Sequence, residues 1–148
     1  MLHLKIPPPV IFVLSAASMF ALSDFEVKLA MWRLISSTAL WAVASVIALA
    51  SIWSFLQAKT TVNPHHPHKS STLIVAGIFC YSRNPMYLSL VALLLGWSCL
   101  LSGYWNLLPI VGFIAYIHYF QIKPEEEVLA NKFGKEYRDY IKKVRRWL

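Results

Sequence analysis

The chain has 148 residues, of which 57% are hydrophobic and only 14% are charged. Soluble domains carry about 25% charged residues, so this composition excludes an ordinary water-soluble fold and favours the lipid bilayer as solvent. The net charge of +7 does not predict nucleic-acid binding, because the basic residues flank apolar runs, where anionic lipid headgroups attract them. We therefore predict an integral membrane protein that contacts membrane lipids and no nucleic acid.

Four apolar runs follow one another along the chain, and each is a candidate for a helix that crosses the bilayer. The first run follows three prolines and lacks a small-residue cleavage site, so we interpret it as a retained span and not as a signal peptide. A tight turn at Ser102–Asn106 joins the last two runs into a predicted helical hairpin. The runs are Val10–Leu22, Leu29–Leu56, Met86–Leu101 and Leu107–Phe120.

From Lys123 the chain becomes polar, but its apolar residues recur at steps of three and four, as on one face of an amphipathic helix. These residues are Leu129, Phe133, Tyr137, Tyr140, Ile141 and Val144. Glu125–Glu127 lie in the predicted first turn, where the positive end of the helix dipole favours carboxylates. The sequence predicts a helix that lies along the membrane surface or packs under the bundle.

The distribution of Lys and Arg predicts the orientation. If the N-terminus, the middle loop Gln57–Ser71 and the C-terminal tail share one side, twelve of the 14 basic residues lie there. The other side holds Lys28 and Arg33. Because basic loops stay in the cytoplasm, both termini are predicted to be cytoplasmic. We thus expect an all-α, multi-pass protein of a bacterial inner membrane, with about four transmembrane helices and a C-terminal amphipathic cytoplasmic helix.

The first group of residues suited to chemistry lies just before and at the start of the third run. Backbone N–H groups at a helix start and the Arg83 guanidinium can both hold a carboxylate, and tyrosines can stack on a planar ring. A snorkelling arginine with interfacial tyrosines accounts for the same residues without any ligand. The group consists of Gly77, Tyr81, Arg83, Asn84, Pro85 and Tyr87.

The second group is the acidic pair Glu125 and Glu126. A carboxylate here can bind an ammonium group, a ribose diol or a sulfonium cation, although a solvated helix start explains the pair equally well. Metal binding is not predicted. His65, His66 and His68 are interrupted by a proline and have no acidic or Cys partner nearby, and the two cysteines form no ligand pattern.

Two motifs together resemble a known family. Residues 77–87 resemble the G-x-Y/F-x-x-x-R-[H/N]-P-x-Y signature of the isoprenylcysteine carboxyl methyltransferase family and its phospholipid methyltransferase relatives. The C-terminal segment resembles the family's second signature, E-E-x-x-L-x-x-x-F-G-x-x-Y-x-x-Y, from Glu125 to Tyr140. Val144–Trp147 is similar to the family's R-V-P-R-like end, with Arg145 in place of proline. The resemblance covers roughly residues 63–147.

This resemblance implies S-adenosylmethionine as methyl donor, bound in a pocket that the C-terminal segment closes. It implies that Arg83 and Glu126 serve catalysis. Many members have His where this chain has Asn84, and an amide cannot take up a proton near neutral pH. The residues expected to line the cofactor pocket are Gly77, Tyr81, Arg83, Asn84, Pro85, Tyr87, Glu125 and Glu126.

The resemblance implies one membrane methyltransferase domain over residues 1–148, with two spans in 1–56 and a cofactor-binding core in 57–148. The expected acceptor is a lipid or a prenylated small molecule or protein, and C-terminal S-isoprenylcysteine carboxyl O-methylation is the closest match. Phosphatidylethanolamine-type N-methylation remains an alternative, as does a non-catalytic membrane subunit. We expect the C-terminal helix to pack against the start of the third span.

Overall fold

The computed structural model describes residues 6–58 and 73–148, and within these ranges the fold is all-helical. Three apolar helices come first: α1 (Pro8–Ala21), α2 (Met31–Gln57) and, after a 3₁₀ turn at Gly77–Cys80, α3 (Pro85–Leu100). A second 3₁₀ turn at Trp105–Leu107 leads into α4 (Leu108–Ile117), a π-helical turn (His118–Ile122) and α5 (Lys123–Lys143). The four predicted apolar runs are therefore all helical, with ends shifted by a few residues.

Within the described ranges, α2 is the one helix that is long and apolar enough to cross a membrane, with 27 residues. The apolar helices α1 and α3 are shorter, with 14 and 16 residues. A helix perpendicular to the bilayer needs about 20 residues. Length and composition thus support one spanning helix, and the four-span arrangement stays a prediction.

Small residues set the interface between α2 and α3, which is the most extensive helix pair in the fold. Ser37, Ala44 and Ser51 recur every seven residues along α2 and are all buried. Gly96 of α3 lies so close to α2 that an added Cβ would be 2.5 Å from the Trp41 ring. Small side chains let helix backbones approach closely. Helix α1 packs against α4 and α3.

The fourth apolar run and the predicted C-terminal helix form one continuous helical segment. Ile122, directly before α5, has helical dihedral angles of φ −64° and ψ −49°. Pro124 has no N–H with which to bond Phe120, and the chain widens into a π turn just before it. Glu125 and Glu126 lie in the first turn of α5, as expected, but the helical backbone continues into the π turn, so a free helix end does not stabilise them. Their environment comes from side-chain partners instead.

Helix α5 bends at Gly134, whose dihedral angles are φ 51° and ψ −112°. The predicted amphipathic face is only partly confirmed. Tyr137, Tyr140 and Val144 are buried, whereas Ile141, at the margin of this face, is 40% exposed. The bend thus divides α5 into a segment that follows the π turn and a segment that packs through its tyrosines.

The two ends of α3 have opposite characters. At its C-terminal end, Arg33 donates to the carbonyls of Cys99 and Leu101, and the Lys28 N–H donates to the Leu100 carbonyl. At its N-terminal end lie Arg83 and the basic C-terminal segment. About 24 Å separates these ends, since a helix rises 1.5 Å per residue. Arg83, Arg145 and Arg146 thus lie at the opposite end of α3 from Lys28 and Arg33, whereas Lys5, Lys59 and Lys69 lie outside the described residues.

Candidate active site

An ion-pair cluster of Arg83, Glu126 and Arg146 lies at the start of α3. The Glu126 carboxylate accepts two hydrogen bonds from Arg146, from Nε at 3.0 Å and from Nη2 at 2.7 Å. Arg83 Nη1 lies 3.2 Å from the same carboxylate. The Glu126 side chain is 18% exposed and that of Arg83 is 12% exposed. Two guanidinium groups therefore neutralise one partly buried carboxylate, and the first motif contacts α5 as expected.

The C-terminal segment after α5 is fixed to the first motif through its backbone. The Arg83 N–H donates to the Arg145 carbonyl at 3.1 Å, and Asn84 Nδ2 donates to the Arg146 carbonyl at 3.0 Å. Trp147 packs against the main apolar core. These contacts hold the Arg146 side chain over Glu126, so the closing segment forms one wall of the cluster.

Glu125 occupies a different environment from its neighbour Glu126. Its Oε1 accepts a hydrogen bond from the Tyr87 hydroxyl at 2.8 Å, and Tyr87 is buried. Among the described residues no cation forms an ion pair with Glu125. Burial raises the pKa of the Glu125 carboxyl to about 8, with a further rise from the charge on Glu126 and a partial offset from the Tyr87 hydrogen bond. Within the described part of the chain, Glu125 is thus a half-buried carboxyl without a counter-charge.

Two tyrosines of α5 complete the contact with the first motif. The Tyr140 hydroxyl donates to the Phe79 carbonyl at 2.8 Å. Tyr137 faces Arg83, and burial together with the charge of Glu126 raises the pKa of its hydroxyl to about 12. Both hydroxyls are therefore protonated at neutral pH and act as neutral polar groups.

The match to known families agrees with this geometry. Residues 32–136, more than two thirds of the chain, match the phospholipid methyltransferase family. The chain belongs to the phospholipid methyltransferase family. Membership confirms the resemblance drawn from the two motifs and supports a membrane methyltransferase in general.

An uncharacterized protein of Haemophilus influenzae is one relative of the chain. The two are 51% identical over 63 residues, which are 43% of this chain and the whole of that protein. No solved structure matches the chain.

The structure brings most, but not all, of the predicted cofactor residues together. Arg83, Asn84 and Tyr87 contact α5 or the segment after it, and they meet Glu125 and Glu126 there. Pro85 is buried as the first residue of α3, where its missing N–H costs nothing.

Two predicted residues lie elsewhere. Tyr81 is 74% exposed, and none of the described hydrogen bonds of the cluster involves it. Gly77 has φ 64°, and an added Cβ would lie 2.9 Å from Ser54 Oγ of α2, so its place in the motif is explained by the turn. His65, His66 and His68, for which the sequence predicts no metal site, lie outside the described residues.

Sequence reasoning missed two members of the site. The sequence motifs assign Arg146 no contact with Glu126, yet it makes the shortest ion pair of the cluster. His118 Nε2 lies 3.3 Å from Arg146 Nη1, inside the π turn. A π turn inside a helix frequently marks a functional site, and Pro124, which follows it, is the sequence signal that could have indicated it.

Proposed function

We propose that the protein is an S-adenosylmethionine-dependent methyltransferase whose acceptor is a membrane-embedded, lipid-like molecule, most like a C-terminal S-isoprenylcysteine carboxylate. The observation that supports this proposal is the contact of Glu126 with Arg83 and Arg146. It joins the two motifs and the C-terminal segment at one end of an apolar helix. A water-soluble donor and a lipidic acceptor can both reach that point, from the cytoplasm and from the bilayer respectively.

The residues of the site fit the amino-acid part of the proposed cofactor. Arg83 Nε is buried and has no hydrogen-bond partner within the described structure, so one guanidinium donor is available to a carboxylate. Glu125 has no cationic partner among the described residues, so an ammonium or sulfonium group beside it would favour loss of its proton and pair with the resulting carboxylate. A spare donor and an uncompensated carboxyl group in one site match a ligand that carries both charges.

The bound cofactor would supply an electrophilic methyl group on a sulfonium centre. The protein's own residues have the tasks of binding, alignment and exclusion of water. We propose that Glu126 acts by holding Arg83 and Arg146 in fixed positions, since both of its oxygens are already used. The C-terminal segment, held by Asn84 and Arg83, covers the site and keeps water away from it. A carboxylate acceptor needs no base, because it is ionised at neutral pH.

A phospholipid amine is the second candidate acceptor, and Glu125 favours it. An ammonium group must lose a proton before its nitrogen can attack, and a base works best with a pKa near the operating pH. The Glu125 carboxyl, with a pKa of about 8, meets that condition. Glu126 is a poorer acceptor, because its charge is shared by two guanidinium groups.

We further propose that the protein is a multi-pass protein of a bacterial inner membrane, with both termini cytoplasmic. The separation of Arg83 and the basic C-terminal segment from Lys28 and Arg33 along α3 supports this arrangement. The cofactor would then bind at the cytoplasmic face, where it is synthesised and dissolved.

The decisive measurement is calorimetric titration of the purified protein with S-adenosylmethionine in detergent. We expect binding by the wild type, and a loss of affinity for Arg83→Ala and Glu126→Ala. Arg145→Ala is the matched control, since this arginine is exposed and contributes its backbone carbonyl to the site. Unchanged affinity in both site variants would refute the placement of the cofactor.

A labelled-methyl assay identifies the acceptor. A prenylated cysteine analogue and phosphatidylethanolamine are offered side by side in the same vesicles. Transfer to the first supports carboxyl methylation and transfer to the second supports N-methylation. No cofactor binding and no transfer to either would favour a non-catalytic membrane subunit.

A further inference from the structure

His118 contacts the one nitrogen of the Arg146 guanidinium that Glu126 leaves unbound. Nε and Nη2 of Arg146 donate to the two oxygens of Glu126, whereas Nη1 lies 3.3 Å from His118 Nε2. The two bonds to Glu126 lie along one edge of the planar guanidinium, so by themselves they let the group tilt about that edge. A third contact away from the edge removes this tilt. His118 thus completes the orientation of Arg146.

The chemistry of the two groups decides the protonation state of His118 in this contact. An arginine guanidinium has only donors and stays charged, so the acceptor is the Nε2 lone pair of a neutral imidazole. The proton of the neutral ring is then on Nδ1. A protonated ring has no lone pair to offer and would place a second positive charge against Arg146. The contact therefore exists only while His118 is neutral.

Other charged groups surround the His118 ring from the helix that follows it and from the C-terminal segment. Arg83 of the first motif is linked to this group through the Glu126 carboxylate. Protonation of His118 would thus add a positive charge where one carboxylate already faces two guanidinium groups. The titratable and charged groups that face the ring are Tyr119, Lys123, Glu126 and Arg146.

The π turn places His118 on the face of the helix that carries Glu126. The two residues are eight positions apart, which in a regular α-helix separates their directions by about 80°. A π turn adds one residue without advancing the face of the helix, so the difference falls to about 20°. Both side chains therefore reach the same guanidinium. The irregular turn is thus part of the candidate site.

We propose that neutral His118 is a positioning residue of the cofactor site, which holds the Arg146 guanidinium against Glu126 and releases it when the imidazole is protonated. This inference rests on the proposed function. Glu126 also contacts Arg83, whose buried Nε is the unpaired donor for the cofactor carboxylate. Loss of the His118 contact would loosen Arg146 and then Arg83, and so weaken cofactor binding although His118 does not touch the ligand. Cofactor affinity should therefore fall at acidic pH.

The binding test compares the wild type with His118→Gln and His118→Phe by calorimetric titration with S-adenosylmethionine in detergent. Gln keeps an acceptor near the position of Nε2 but does not titrate, whereas Phe keeps a ring and has no acceptor. At about pH 8, above the ordinary histidine pKa, we expect His118→Phe to raise the cofactor Kd by about tenfold, the effect of losing one hydrogen bond. His118→Gln should retain most of the affinity. Equal Kd values for all three proteins would overturn this inference alone.

The pH dependence separates positioning by His118 from simple packing. Between about pH 8 and about pH 5, which bracket the ordinary histidine pKa of about 6.5, the wild-type Kd should rise relative to that of His118→Gln. Glu125 and the amino group of the cofactor are present in both titrations, so the ratio of the two Kd values reports on His118. A ratio that does not change with pH would overturn the proposal. A wild type that binds no S-adenosylmethionine at any pH would refute the proposed function, and this inference with it.

A spectroscopic measurement tests the contact without any cofactor. The nitrogen NMR spectrum of histidine-labelled wild type, minus that of His118→Gln, gives the signals of His118. We expect a ring that is protonated on Nδ1 and unprotonated on Nε2 when His118 is neutral. A neutral ring with its proton on Nε2 cannot accept from Arg146 and would overturn the proposal, whether or not the cofactor binds.

Discussion

Arg146 and Glu126 form a two-pronged ion pair, with Nε 3.0 Å from Oε1 and Nη2 2.7 Å from Oε2. The residues are 20 positions apart and lie in different segments, so this pair fixes the C-terminal segment on α5. A planar guanidinium can satisfy both carboxylate oxygens at once, whereas an ammonium group cannot. The hydrogen bond also raises the pKa of Arg146, which stays fully charged. The pair therefore acts as a geometric constraint on the site.

Replacing Arg146 tests that constraint. We expect Arg146→Lys to keep the charge but to lower cofactor affinity, because the forked hydrogen bonds are lost. Arg146→Ala should also lower the free energy of unfolding by about 1–3 kcal/mol, since Glu126 loses a charged partner in a partly buried position. Calorimetric titration and thermal unfolding measure these effects. Arg145→Ala is the control, and an Arg146→Lys variant with wild-type affinity would contradict the assigned role.

Glu125→Gln tests the half-buried carboxyl of Glu125 through the pH dependence of stability. The pKa of Glu125 is about 8 in the folded protein and 4.5 for the free carboxyl of the unfolded chain. Between pH 4.5 and 8 the native state therefore holds a proton that the unfolded state has lost. Its contribution to stability is complete below pH 4.5 and is lost as the pH rises through 8. Glu125→Gln should therefore reduce the loss of unfolding free energy with rising pH, by up to about 1.4 kcal/mol per pH unit.

The measurement is the unfolding temperature of the wild type and of Glu125→Gln between pH 5 and 8 in the same detergent. The curves should diverge as the pH falls, with the wild type gaining more stability. Glu127→Gln is the matched control, since Glu127 is the exposed neighbour in the same helix. Parallel curves for wild type and Glu125→Gln would show that the carboxyl is solvated.

Asn84→Ala distinguishes a positioning role from that of a base. Asn84 donates to the Arg146 carbonyl, so its loss should loosen the C-terminal segment and cost about 1 kcal/mol of stability. We expect a lower methyl-transfer rate with an unchanged pH profile, because an amide does not titrate near neutral pH. A pH–rate profile that changes shape in Asn84→Ala would contradict this interpretation.

The helices and the grouping of Arg83 with Glu126 could be predicted from the sequence, whereas the closure of this candidate site by Arg146 could not. Long apolar runs predict helices because the bilayer leaves the backbone few alternatives, and Arg83 and Glu126 were identified through motif resemblance. The contact of Arg146 with Glu126 depends on the path of the chain after α5, which no local pattern specifies. The bend at Gly134 likewise depends on a positive φ, which glycine permits but does not require.

Gly96→Ala tests whether the close approach of α2 and α3 is required. The added Cβ would lie 2.5 Å from Cδ1 and Nε1 of Trp41 and 3.2 Å from the Ser37 carbonyl oxygen. Trp41 cannot rotate away without losing its hydrogen bond to the Leu93 carbonyl. We therefore expect Gly96→Ala to lower the free energy of unfolding by about 1–3 kcal/mol, as overpacking does. Thermal unfolding in detergent measures this loss.

Gly112→Ala is the matched control, because a Cβ at this position of α4 would meet no atom within 4 Å. Alanine favours the helical state over glycine by about 1 kcal/mol, so this variant should be neutral or more stable. The two substitutions are chemically identical, and their opposite signs would isolate the contact with Trp41 from helix propensity. If both variants are equally stable, α2 and α3 can separate at Gly96. The close approach of these two helices is then not required for the fold.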